Sequence, residues 1–396
     1  MNEKELLALA KSRIVSFSTN DASARLSRLN TQYGVGKIIH VLSQRGVSAD
    51  TVYCVFGPDA GVTRNAKRWA SGFGYGCLIR WAGAEELGED ILFPQVRPNA
   101  CGILVAVVSQ VPTPGELLER VQMVKRKRPE LNGIPLHWNL GESNHFIEVR
   151  RVEDSRWEGV HNGEHIVLIH ASPNELKKEL YEFEVWQRRG GVWEETPLGR
   201  IFILEGRVAR EYHATYQRIE RWGRVKRELV ARELFGEVRI ISNAAHQGLS
   251  ATNAMRLGLY DSTDASTCPS GEPIFPVALR WDLPAYLVRG KPNLNREQIE
   301  RKKGVIKRGF APFLEQINIL PHGGGYALPR YMEDCEVIRR EEARLFQFSK
   351  GNGFFLMADP SATSFRYRGL KVYQRTIGLE LGEPVATLQP VYTLKS

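Results

Sequence analysis

The run Cys-Gly-Ile-Leu-Val-Ala-Val-Val-Ser-Gln-Val at residues 101–111 narrows the fold more than any other stretch of the chain. From Cys101 to Val108 it is apolar without a break, rich in β-branched residues, and too uninterrupted to lie on a half-solvated surface, so it reads as a buried strand. A buried strand needs partners on both edges and cover on its faces. Other short apolar runs supply candidates: residues 51–56 and 72–81, separated by Gly-rich joints, then 165–171, 200–208 and 237–244, each rich in Ile, Val and Leu with polar flanks. Residues 371–376 and 385–394 also read as strands.

Helical signals fall between these runs. Thr113 followed by Pro114 and Glu116 is a start signal for a helix over 114–128, which Pro129 stops. Residues 211–235 place Arg218, Arg221, Arg224, Lys226, Arg227 and Arg232 around Trp222, Leu229 and Leu234, the spacing of a basic amphipathic helix. Its charged face is either solvated or in contact with RNA. A second basic helix is expected over 295–316, with Arg301, Lys302, Lys303, Lys307 and Arg308. The first 50 residues start helical and give way to small and polar residues, with 36–40 reading as a strand or a short helix. No repeat and no Ser/Gly-rich linker divides the chain. The expected fold is a single large α+β domain over 1–396, with a mixed or antiparallel sheet core and helical insertions.

Charge and composition bound the partners. A formal charge of +9 and a pI near 9.3 favour polyanions, nucleic acid among them. No apolar run approaches the about 18 residues that span a bilayer, and the N-terminal residues 1–17 lack the apolar stretch of a secretory signal. A cytoplasmic protein without membrane contact is therefore expected. Cys54, Cys77, Cys101, Cys268 and Cys335 are widely spaced with no C-x-x-C pair, so free thiols are expected in place of a disulfide framework or a zinc ribbon.

Chemistry concentrates in one recurring pattern. His145 follows a Gly/Ser/Asn-rich turn and starts an alternating strand, whereas His170, His246 and His322 each close an apolar run. Strand ends fix the backbone and leave side chains reachable, which suits a shared metal site, and the Cys101 thiolate is a further candidate ligand. Taken one at a time, each residue also has a plain structural reading, a satisfied core histidine or a small buried hydrophobe. His322 differs in being followed by Gly323, Gly324 and Gly325, which permit close backbone approach and positive φ, so that amides can face a phosphate while the imidazole attacks it.

Together these motifs resemble the RtcB family of RNA ligases, which use GTP and Mn²⁺ to join RNA ends bearing a 3′-phosphate or 2′,3′-cyclic phosphate to a 5′-hydroxyl. The pentapeptide Asn144-His145-Phe146-Ile147-Glu148 reproduces the family's Asn-His-Phe-Ile-Glu, Cys101-Gly102 is similar to its metal motif, and His322-Gly323-Gly324-Gly325 resembles its His-Gly-Ala-Gly. The resemblance implies that His322 is the guanylylated nucleophile, and that Cys101, His170 and His246 hold one manganese ion while Cys101 and His145 contribute to a second. It places Asn144, Glu148, the three glycines and Lys395 at the nucleotide. On ligand softness, a thiolate with imidazoles suits Zn²⁺ at least as well as Mn²⁺.

The chain departs from the family pattern at defined places. Pro98 stands where the family has a metal-binding aspartate, so a second metal would need Asn99 or another donor. Residues 170–175, His-Ala-Ser-Pro-Asn-Glu, replace His-Ser-Gly-Ser-Arg-Gly, and Tyr326 replaces an arginine. Arg289, Lys291 or Arg330 are candidates for supplying the lost charge. Two other activities stay open at this point: an RNA-binding or sensing relative without guanylylation, and a metal-dependent phosphoesterase.

Overall fold

The structure, a computed structural model, describes residues 1–300, 317–329, 332, 334–340 and 343–395. Its centre is a seven-stranded antiparallel sheet in the spatial order Val238–Ala245, Gly102–Val108, His165–Ala171, Phe146–Ser155, Gly382–Leu394, Ala285–Gly290, Ile274–Val277. The apolar run 101–111 supplies the second strand of this order, Gly102–Val108. Leu104, Ala106 and Val108 enter one core cluster, and Ile103 and Val105 enter the cluster on the opposite face. Both faces are dry, which is why the run shows no polar alternation.

A five-stranded sheet in the order Ile14–Ser16, Tyr53–Gly61, Tyr75–Arg80, Ala254–Leu257, Gln247–Ala251 lies beside it, with one parallel and otherwise antiparallel pairings. The helix Gly206–Phe235, 30 residues and about 45 Å long, serves both cores. Ala209, Tyr212, Tyr216 and Ile219 pack with the five-stranded sheet, and Val230, Ala231 and Leu234 with the seven-stranded one. The architecture is α+β, as expected.

Several local readings are corrected. Residues 371–376 belong to the helix Leu370–Gly378 and do not form a strand: the β-branched Val372 and Thr376 sit four apart on its buried face. Of the two readings of residues 36–40 the helical one holds, within the longer helix Ala22–Gln44, whose small residues admit close neighbours; a Cβ on Gly34 would come within 2.4 Å of Phe73. The run 200–208 splits into the strand Ile201–Glu205 and the first turn of the long helix. Of the expected basic helix 295–316, only Arg296–Glu300 is described, and 301–316 lie outside the described residues.

The charged face of the long basic helix is divided: Arg218, Arg221 and Arg232 are exposed to solvent, whereas two of its cations are not. Lys226 and Arg227 are each 1% exposed. Lys226 Nζ pairs with Glu175 at 2.8 Å and donates to the His137 carbonyl, while Arg227 donates to Asn243 Oδ1 at 2.7 Å and to the Ala171 carbonyl. Two of its cations are thus internal braces beneath the strand that carries His170.

Candidate functional site

Antiparallel pairing explains how residues distant in sequence converge. In such a sheet the start of one strand lies beside the ends of its neighbours. Cys101 immediately precedes Gly102–Val108, flanked by the end of Val238–Ala245 with His246 just beyond, and by the end of His165–Ala171 with His170. Register confirms the alignment: Ile103 pairs with His170, Gly102 with Ala245, and the His246 amide donates to the Cys101 carbonyl at 2.9 Å. One strand further, Phe146 pairs with His170, which brings His145 to the same rim.

The sulfur of Cys101 and a ring nitrogen of each of His170 and His246 lie within 4.8 Å of one another. Cys101 Sγ is also 3.3 Å from His145 Nε2. His145 Nδ1–H donates to the Asn139 carbonyl and His170 Nδ1–H to the Asn144 carbonyl, each at 2.9 Å. Both tautomers are thereby set, with lone pairs left on Nε2. His170 Nε2 and both ring nitrogens of His246 are buried with no hydrogen-bond partner among the described residues. Orphaned buried nitrogens carry a desolvation cost that a cation would relieve, and one thiol with two imidazoles is a donor set a divalent transition metal accepts. The residues therefore fit a metal.

Burial dominates the electrostatics. It pushes the pKa of His145 down to about 3 and those of His170 and His246 well below the usual imidazole value, and it raises that of the Cys101 thiol. Neutral imidazoles are the form that ligates.

His322 arrives from another direction. It follows the strand Ile319–Pro321, which pairs with Leu259–Asp261, and its ring stacks on His246 with centroids 4.0 Å apart. Its Nδ1 lies 2.7 Å from the Gly258 carbonyl and 3.2 Å from Asp59 Oδ2. The Gly258 carbonyl can only accept, so Nδ1 carries the proton and Nε2 keeps its lone pair. Burial raises the Asp59 carboxyl, opposed by His322 and by Arg368, which also donates to the Asp59 carbonyl.

The glycines after His322 have an immediate reason that differs from the phosphate cradle expected of them. A Cβ on Gly323 would come within 2.4 Å of the Ala278 carbonyl, and one on Gly325, at φ +60°, within 2.2 Å of the Asp59 carbonyl. The Gly324 amide already donates to Ala278. Close backbone packing is thus what these positions demand, and it is what sets Asp59 against His322.

A cavity of about 770 Å³, within the range of small-molecule sites, opens on this cluster. His170, His322 and the three glycines line it together with Asn144, Glu148 and Lys395, whereas Cys101, His145 and His246 lie buried outside that lining. Glu148 is buried and paired with Arg150, Nη2 to Oε2 at 2.6 Å, and Lys395 Nζ donates to the carbonyls of Ser143 and His145 at 2.7 Å each. Asn99 lines the cavity beside the position of Pro98.

The compensating cations proposed from sequence lie elsewhere. Arg289 is tied to Glu272 at 2.9 Å, and neither it nor Lys291 lines the cavity; Arg330 lies outside the described residues. Arg64, which no motif marked, is an exposed cation in the cavity lining. Asp59, which lies in the strand Tyr53–Gly61, was not among the candidate site residues. Comparison of the sequence with protein-family models and with curated proteins finds no match.

Proposed function

We propose that this chain is a divergent RtcB-like RNA ligase, which uses GTP to join an RNA 3′-phosphate, or a 2′,3′-cyclic phosphate once opened by water, to a 5′-hydroxyl. The observation that carries this reading is the orientation of His322: Nδ1 is held by Asp59 and Gly258, and the ring lines a nucleotide-sized cavity against the metal-fitting cluster.

In the first step His322 Nε2 attacks the α-phosphorus of GTP; the P–N bond forms as the α–β bridging P–O bond breaks, and pyrophosphate leaves. An oxygen of the RNA 3′-phosphate then attacks the same phosphorus and returns the bonding pair to Nε2. Finally the 5′-hydroxyl attacks the activated 3′-phosphorus, forming the phosphodiester, releasing GMP and giving its proton to solvent. Asp59 stabilises the positive charge that develops on the His322 ring during attack, and Lys395 and Arg64 supply cations along the cavity wall. Cys101, His170 and His246 would hold a divalent cation, Mn²⁺ by family resemblance or Zn²⁺ by ligand softness, whose contribution is neutralisation of phosphate charge. His145, sharing Cys101, is the candidate for a second.

Intact-mass measurement after incubation with GTP and Mn²⁺ tests the reading. The expected result is a guanylate adduct that is lost on acidification and absent from His322→Ala. No adduct with Mn²⁺, Zn²⁺ or Mg²⁺ would reject it.

A further inference from the structure

Trp281 is 67% exposed, yet it stands in the lining of the same cavity. It occupies the connection between the antiparallel strands Ile274–Val277 and Ala285–Gly290, which its own hydrogen bonds close. Arg280 and Asp282, the residues on either side, pair with each other, Nη2 to Oδ2 at 2.8 Å, and the Leu283 amide donates to the Arg280 carbonyl at 2.9 Å. The indole is thus presented at the tip of a closed turn.

That turn is fastened at both ends to the site. On one side Ala278 donates to the His322 carbonyl at 3.1 Å and accepts from Gly324. On the other, the buried Arg150 donates to the Leu283 carbonyl while paired with Glu148. Trp281 is therefore held in register with the nucleophilic histidine and with the carboxylate across the cavity. A large aromatic kept in water on a braced turn, in a cavity lining that also holds the cations of Arg64 and Lys395 on a chain of charge +9, is the combination that binds single-stranded nucleic acid: bases stack on the ring while cations follow the phosphates.

We infer that Trp281 is a stacking platform for an unpaired base of the RNA strand whose end is brought to His322. The inference rests on the ligase reading for the identity of the strand, but its test is separate. Affinity for a fluorescently labelled, 3′-phosphorylated oligoadenylate is measured by anisotropy, without GTP, for wild type, Trp281→Phe and Trp281→Ala, with thermal melts confirming that each variant folds. Trp281→Ala is expected to weaken binding roughly tenfold, and Trp281→Phe to recover most of that loss, because base stacking on an aromatic is worth about that factor. The dependence of affinity on salt should stay as in wild type, since no phosphate contact is removed. Equal affinity of Trp281→Ala and wild type would overturn the inference even where a guanylate adduct forms. Loss of affinity on Trp281→Ala in a protein that forms no adduct would instead reject the ligase reading and leave the platform standing.

Discussion

Asp59 Oδ2 lies 3.2 Å from His322 Nδ1 although 263 positions separate the two residues, and Asp59 is wholly buried. A carboxylate placed behind an imidazole fixes its tautomer and stabilises the imidazolium-like charge that forms when the far nitrogen becomes bonded to phosphorus. Replacing it by a neutral isostere removes the second effect while preserving shape. Asp59→Asn should slow formation of the guanylate adduct about 100-fold, read by mass spectrometry over time, with His322→Ala giving none. A full wild-type rate in Asp59→Asn would show that the carboxylate is merely structural.

Cys101 Sγ is shared by both halves of the metal-fitting cluster, 3.3 Å from His145 Nε2 and within 4.8 Å of a ring nitrogen of each of His170 and His246. Cys101→Ser should lower the bound divalent metal, measured by elemental analysis of protein purified without chelator, by more than His145→Gln does. Chelation should lower the melting temperature of the wild type and leave that of Cys101→Ser nearly unmoved, because a ligand that binds only the folded state stabilises it by mass action.

The pH dependence of the metal-free protein has a defined sign. His145 titrates in the fold at about 3 against about 6.5 unfolded, so the unfolded chain binds the proton first. Stability from this residue is complete above about pH 6.5 and falls by about 1.4 kcal/mol per pH unit between there and about 3; His170 and His246, lowered in the same direction, steepen the loss. Urea midpoints measured after chelation should decline from pH 7 to pH 5, and more shallowly in His145→Gln.

Lys226 and Glu175 form an ion pair whose side chains are 1% and 4% exposed. Removing one partner leaves a buried charge uncompensated, so Lys226→Met should cost about 3–5 kcal/mol in urea unfolding, with Lys226→Met/Glu175→Leu recovering part of it. An RNA-contacting lysine would instead show its effect in RNA affinity with little change in stability.

Arg64 is an exposed cation at the cavity that no sequence motif announced. Arg64→Ala should weaken RNA binding at low salt and reduce the slope of log affinity against log salt by about one, the signature of one lost phosphate contact. An unchanged slope would remove Arg64 from the strand's path.

Patterns of residue type carried a definite share of this protein. The apolar part of the run, 102–108, specified its own burial, because a strand with dry faces on both sides leaves no polar positions, whereas Ser109 and Gln110 end it in solvent; Thr113-Pro114 with Glu116 specified a helix start that forms with its capping hydrogen bonds. Recurrence of histidine at strand ends singled out His145, His170, His246 and His322 before any geometry. Periodicity failed where burial overrode propensity: Val372 and Thr376 look like strand residues, but their spacing of four puts them on one helical face.

What only the tertiary structure decided is which atoms meet. Antiparallel register set the start of Gly102–Val108 against the ends of its neighbours, and so turned a list of histidines into donors within 4.8 Å. The partnership of Asp59 with His322, the burial of Lys226 and Arg227, and the braced turn of Trp281 leave no trace in local sequence. Each depends on contacts between segments far apart along the chain, and local composition constrains a residue's own backbone without constraining what packs against it.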